Sequence, residues 1–212
     1  MIIIYHLENS RSERVIWLME ELGLPFVLTR FDREPSMMAP PAYKEIHKLG
    51  KSPVIRDGEI VLAESGAIIE YLANRVPERR LAVQPDAPNY ACYLHWLHFA
   101  EGSAMPQFIL NLFVSGFIPG VDPNSPLVAM AKHRSAELLA YIEGEIGLTP
   151  YFAGAEFTAA DIMMTYCFGI LRGPMMNTDM AQYPNIAAYL ARIEERPAYQ
   201  KAMGIANPPK AA

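Results

Sequence analysis

Cysteine is nearly absent: the 212 residues contain only Cys92 and Cys167. Two thiols make no disulfide framework, and both lie in apolar, helix-like segments that read as packing positions. A reducing compartment is the simplest setting, so a cytoplasmic protein is expected. Histidine is also sparse. His6, His47, His95, His98 and His133 are scattered, and only His95 and His98 share a helical spacing. Without cysteine or carboxylate partners nearby, no metal site is expected. Positive charge is short as well, with 18 Lys+Arg against 23 Asp+Glu and a net charge of −5. There is no basic run, which argues against nucleic acid and membrane surfaces as partners. Long apolar spans are missing too. The stretch from Gly102 to Val121 is uncharged, but Pro106, Gln107, Asn111, Gly116, Pro119 and Gly120 interrupt it, so a broken buried helix is expected there. The opening Met-Ile-Ile-Ile-Tyr-His-Leu-Glu carries no basic leader, and its apolar run is too short for a signal peptide.

What is present is enough apolar material for a core, 51% of the residues against 19% charged. Ile2–Leu7 reads as a buried strand. Val15, Ile16, Leu18, Met19 and Leu22 follow at helical spacing and end at Gly23 and Pro25, and Phe26–Phe31 reads as a second strand. Three prolines in 34–41 make a loop, and a short helix is expected around Tyr43–Lys48. Val54–Arg56, an Asp57-Gly58 turn of type I′, and Glu59–Leu62 form a hairpin signal. Ala67, Ile68, Tyr71 and Leu72 then mark a helix. The order βαβ–loop–ββα implies a four-stranded mixed sheet. After a proline-bearing linker at 77–88, every periodic segment is helical: a helix starting at Tyr93–Phe99, then Val128–Ile146, a central Ile162–Leu171, and Ile186–Ile193 as the last clear one. The fold class is therefore an α/β domain over 1–76 and an all-α domain over 89–212.

Three short stretches carry chemistry. The first is Lys51-Ser52-Pro53-Val54-Ile55. Proline cannot donate to a sheet ladder, so Pro53 is either an ordinary trans edge proline or a cis bond. The cis form would turn the Val54 backbone outward, where its N–H and C=O could pair with an extended peptide. The second is Glu64-Ser65 before the third helix. Ser65 is a natural N-cap and the helix N-terminus suits a carboxylate, while Glu64 suits an ammonium. The third is Ser10, after the first strand. Ser10-x-x-Glu13 matches a capping box, and the other reading gives the Ser10 hydroxyl to a ligand thiolate. Lowering a thiol pKa by ~2 units takes about 2.7 kcal/mol. A charge-assisted hydrogen bond supplies roughly 1.5–3 kcal/mol. A helix N-terminus adds about 0.3–1 kcal/mol, so no general base is required. Asn9, Tyr5 and Ser12 are the alternatives to Ser10.

These stretches, in this order, resemble the soluble glutathione S-transferases over nearly the whole chain. The resemblance rests on Tyr5–Val15, Leu49–Ile55 and Glu64–Leu72. Phe157-Thr158-Ala159-Ala160-Asp161 also resembles the family's N-capping box before its central helix, a structural motif in which Thr158 and Asp161 exchange bonds with the backbone. The resemblance implies a thioredoxin-like first domain. It also implies that Val54 pairs with the cysteinyl unit of glutathione, that Glu64 and Ser65 hold its γ-glutamyl end, and that Lys51 reaches its glycine carboxylate. Ser10 matches the catalytic serine of the serine-type, bacterial-like members. No cysteine stands at position 10, no Ser-Ser-Cys motif is present, and Met38 stands where some serine-type classes place a histidine.

In the family the electrophile lies between the domains, which places Leu7, Phe99, Ser103, Met105, Pro106, Phe108 and Tyr166 as its apolar walls; otherwise Phe99 and Phe108 are bundle core. The expected activity is conjugation of the glutathione thiolate to apolar electrophiles, with hydroperoxide reduction as a side activity. A homodimer is expected, and no cofactor beyond glutathione as co-substrate. The rival readings are a non-catalytic glutathione or ligand binder, and a glutathione-dependent isomerase or dehalogenase.

Overall fold

The computed structural model describes residues 1–79 and 81–208. They form two compact units, Met1–Ala82 with Glu194–Ala212, and Val83–Ile193. This differs from a division into 1–76 and 89–212. Leu81 and Ala82 are buried, so the first unit runs past the proline at 77, and part of the expected linker belongs to it. Residue 80 of that linker lies outside the described residues.

In the first unit the sheet has the order β2-β1-β3-β4, with β1 Ile2–Leu7, β2 Phe26–Phe31, β3 Val54–Asp57 and β4 Ile60–Ala63. β1 and β2 are parallel and joined through α1, Ser12–Leu22, which Gly23 ends in the left-handed region at φ 67°. β3 runs antiparallel to both β1 and β4. Asp57 pairs with Ile60, so the turn is Gly58-Glu59, one residue later than the Asp-Gly reading. Gly58 has φ 61° while Glu59 does not have positive φ, which fits a type II′ turn with glycine first and not type I′. The short helix α2 is Pro41–Lys44, its start set by the fixed φ of proline, and α3 is Ser65–Ala73.

The last helix of the unit, α9 (Pro197–Ala206), falls outside the periodic segments of the sequence. It packs on α1. Tyr199 meets Trp17 edge-on at 4.9 Å, and Arg196 grips Glu21 through Nε to Oε1 and Nη2 to Oε2, each at 2.8 Å. Lys201 adds an ion pair to Glu20 at 2.7 Å.

The second unit holds α4 (Tyr90–Phe99), α5 (Met105–Leu112), α6 (Pro126–Ile146), α7 (Ala159–Arg172) and α8 (Pro184–Glu194). α7 is the buried centre: Ile162, Met163, Met164, Cys167 and Phe168 have no accessible surface. Its start is a formed capping box. Asp161 Oδ2 accepts from the Thr158 N–H at 2.8 Å, and Oδ1 accepts from the Phe152 N–H at 2.9 Å. The segment from Gly102 is not a broken, fully buried helix. Ala100–Ala104 and Phe113–Phe117 are wide π turns that carry the helix on, and Gly102, Ser103, Pro106, Phe113 and Phe117 are exposed. Among the described residues, no helix is long and apolar enough to cross a membrane.

Candidate active site

Strand register places the three chemistry-bearing stretches at one edge of the first unit. Tyr5 pairs with Val54 and Val54 with Ala63. The loop after β1, the segment before β3 and the residues after β4 therefore leave the sheet side by side. These are Glu8–Arg11, Lys51–Pro53 and Glu64-Ser65.

The Ser52–Pro53 peptide bond is cis. Val54 itself is fully buried and paired on both sides, against Tyr5 and Ala63. An added peptide strand would need free backbone groups, and a residue of an inner strand has none to offer. Contrary to expectation, Val54 therefore has no backbone edge for a peptide ligand, and the backbone beyond the end of the ladder is that of Ser52. Pro53 is buried, Ser52 is half-buried and Lys51 is exposed.

Glu64 is exposed and adopts φ 73°, ψ 121°, a conformation rare outside glycine, as it hands the chain from β4 to α3. It occupies the N-cap position, and Ser65, buried, is the first helical residue, so the cap lies one residue earlier than expected. The first backbone bond of α3 is from the Ile68 N–H to the Glu64 carbonyl at 3.0 Å. The N–H groups of Ser65, Gly66 and Ala67 precede it and point out of the helix end.

Ser10 is buried at 5% exposure, and its neighbour Asn9 is exposed with φ 49°. The Ser10-x-x-Glu13 capping box does not form. The N-cap of α1 is Arg11, without a side-chain cap bond. Ser10 Oγ accepts from the Ser12 N–H at 3.3 Å and lies 2.7 Å from Ser12 Oγ. It donates to Ser52 Oγ at 3.0 Å. Glu13 instead accepts from Asn207 Nδ2 at 3.3 Å, and burial raises its pKa. Arg33 holds the loop from outside, donating to the carbonyls of Glu8 at 2.8 Å and Asn9 at 2.9 Å. Tyr5 is core, packed with Leu7, Ala39, Tyr43 and Val54.

Ser12 is fully buried, 2.7 Å from His6 Nδ1, and His6 Nε2 donates to the Ala206 carbonyl at 3.0 Å. Burial lowers the His6 pKa. The sequence drew attention to histidine only as a metal ligand, so His6 went unremarked. Its alternating place on β1 and the serine-rich loop beside it were the available signals. Among the described residues no three His, Cys, Asp or Glu side chains gather as a metal site.

Of the expected apolar walls, Leu7, Met105 and Phe108 are buried core with 2% exposure or less. Met105 and Phe108 have no accessible surface, so they back a wall at most and do not line one. Phe99 and Tyr166 are half-buried, and Ser103 and Pro106 are exposed.

Residues 10–75 match the family described as glutathione S-transferase, N-terminal domain, and residues 104–197 match its C-terminal domain. The chain is 33% identical to glutathione S-transferase 3 of Schizosaccharomyces pombe, over 93% of this chain and 85% of that protein. A glutathione S-transferase structure from Actinobacillus pleuropneumoniae superposes with a TM-score of 0.85 at 32% identity, covering 97% of this chain and 93% of that one. A theta class glutathione S-transferase from Xanthomonas axonopodis pv. citri, solved with glutathione bound, gives a TM-score of 0.76 at 27% identity, covering 95% and 96%. With both domain families matched and a relative of this identity along nearly its full length, the chain belongs to the glutathione S-transferase family.

Proposed function

We propose that the protein transfers the thiolate of glutathione to an apolar electrophile, and that the sheet edge formed by Ser10, Ser52, Glu64 and Ser65 is where glutathione lies. The observation that carries this reading is the meeting of Ser10 and Ser52 at 3.0 Å, beside the open N-terminus of α3. In this reading the α3 N–H groups and the Ser65 hydroxyl take the γ-glutamyl carboxylate, and Glu64 takes the ammonium. The backbone of Ser52 pairs with the cysteinyl unit, which brings the sulfur over Ser10. Lys51, exposed beside it, serves the glycine carboxylate. Ser10 stabilises the thiolate by donating a hydrogen bond, with Asn9 as the exposed alternative. The Xanthomonas relative with glutathione bound supports the ligand.

Family membership also supports a cytoplasmic homodimer that needs no cofactor beyond glutathione. The half-buried Phe99 and Tyr166 and the exposed Ser103 and Pro106 are the expected wall residues with surface to offer an electrophile. Retention on immobilised glutathione, followed by a panel of electrophiles and organic hydroperoxides, tests the proposal. A protein that binds glutathione and turns over none of them would be a binder and not a transferase.

A further inference from the structure

A continuous line of hydrogen-bonding side chains runs from the Ala206 carbonyl to Ser52 in the first unit. At one end the Ala206 carbonyl accepts from His6 Nε2 at 3.0 Å and from Arg30 Nη1 at 3.0 Å. A carbonyl only accepts, so His6 Nε2 carries a hydrogen. His6 Nδ1 lies 2.7 Å from Ser12 Oγ, and Ser12 Oγ lies 2.7 Å from Ser10 Oγ. At the other end Ser10 Oγ donates to Ser52 Oγ at 3.0 Å.

Both ends pull hydrogens outward. With His6 neutral, Ser10, Ser12 and His6 bring one hydrogen each to four contacts. One contact is then left without a hydrogen between its two atoms. A proton on His6 Nδ1 fills every contact: Nδ1 then gives to Ser12, Ser12 gives to Ser10, and the Ser10 hydrogen points away from both.

We propose that His6 is a positioning residue for thiol activation, receiving through Ser12 and Ser10 the proton that bound glutathione gives up. The inference rests on glutathione being the ligand at the Ser10 end. In the step, the S–H bond breaks and its proton bonds to Ser10 Oγ. The Ser10 hydrogen, turned from Ser52, passes to Ser12 Oγ, and the Ser12 hydrogen passes to His6 Nδ1. Sulfur keeps the electron pair as thiolate and His6 becomes imidazolium. The hydrogen now on Ser10 faces the thiolate, which takes the place of Ser52 as its acceptor. No further reactant enters.

The surroundings of His6 keep the ring neutral and able to accept, and they set the cost of the charge. Burial first, with Arg30 on β2, opposes the imidazolium, while the Ala206 carbonyl and Glu8 after β1 favour it, and the balance lowers the His6 pKa. α1 contributes Ser12 to the ring and α9 contributes Ala206. Between isolated groups the proton prefers the thiol by about 100-fold. The thiolate's charge-assisted bond and its attraction to the imidazolium across a poorly solvated line work against that preference.

The test uses the whole protein and two ligands, glutathione and S-methylglutathione, which has no thiol proton. Histidine ¹⁵N spectra report the His6 ring, and an indicator dye in weak buffer reports released protons. The expected result is that glutathione, and not S-methylglutathione, moves His6 to the imidazolium signature. The wild type should then release less than half a proton per thiolate, while His6→Gln releases nearly a full one. Should both ligands bind while His6 stays neutral and wild type and variant release protons alike, the relay is wrong and the glutathione site stands. Should neither ligand bind, the glutathione site itself is wrong, and the relay with it.

Discussion

The hydroxyl of Ser10 donates to that of Ser52 at 3.0 Å across 42 residues of sequence. The contact ties the loop after the first strand to the segment before the third, the two stretches proposed to flank the glutathione sulfur. Replacing Ser10 with alanine should raise the pKa of bound glutathione by about 1–2 units, the equivalent of one charge-assisted hydrogen bond. Titration of the thiolate absorbance in the bound complex checks this, and an unchanged pKa moves the role to Asn9.

Glu64 holds a positive φ that costs a non-glycine residue about 1–3 kcal/mol. Glu64→Gly should therefore raise stability by up to about 1 kcal/mol, once the added freedom of the unfolded chain is subtracted. That corresponds to a gain of roughly 2–4 °C in Tm. The same change should weaken glutathione binding by about 10-fold or more through loss of a charged partner. Glu64→Gln, which keeps the conformation and loses the charge, should weaken binding without the gain in Tm. Calorimetric titration and thermal melts separate the two effects, and a Tm unmoved by glycine would show that the backbone there is unstrained.

Asp161 is fully enclosed at the start of α7, and burial raises its pKa to about 6 despite three hydrogen bonds that favour the carboxylate. The folded state thus holds its proton over a pH range where the unfolded state, near 3.8, has released it. More protons bound in the native state means that this group's contribution to stability falls as pH rises through that window. A difference of about 2 units corresponds to roughly 3 kcal/mol between the two limits. Asp161→Asn removes the titration, so its cost relative to wild type should be smaller at pH 7.5 than at pH 4.5. Urea unfolding at the two pH values checks the sign.

Arg196 forks onto Glu21 with side-chain exposures of 26% and 9%, so the pair is only partly shielded from water. Arg196→Ala should cost about 1–2 kcal/mol, between the values for exposed and for buried pairs. The melting temperature should then fall by roughly 2–8 °C. Arg196→Lys should recover only part of this, because one ammonium cannot make both parallel bonds.

The parts legible in the sequence were those whose signal is local. The strands, α1 and α7 announce themselves in residues two to four positions apart, and the Thr158–Asp161 box is complete within four residues. α9 escaped because its buried residues, Ala202 and Ala206, are small, and its partners Trp17 and Glu21 lie some 175 positions upstream. Ser52 stood in plain view in its motif, yet only the fold shows that its hydroxyl reaches Ser10. Val54 drew attention because it follows the proline. Its pairing on both sides depends on β4 returning alongside β3, which a pattern within one strand does not encode. Capping boxes at Ser10 and Thr158 have similar sequence signals, and only the second forms, because the hydroxyl of Ser10 turns to other serines.

The first unit is closed by a helix that the ribosome makes after the entire second unit. Until Pro197–Ala206 has emerged, Trp17 lacks its tyrosine partner and His6 lacks the carbonyl of Ala206. The order of synthesis and the order of completion therefore differ. Although domains generally fold first from the N-terminus, the sheet-bearing half here is finished last, and the nascent chain must keep the open face of α1 from other partners in the meantime.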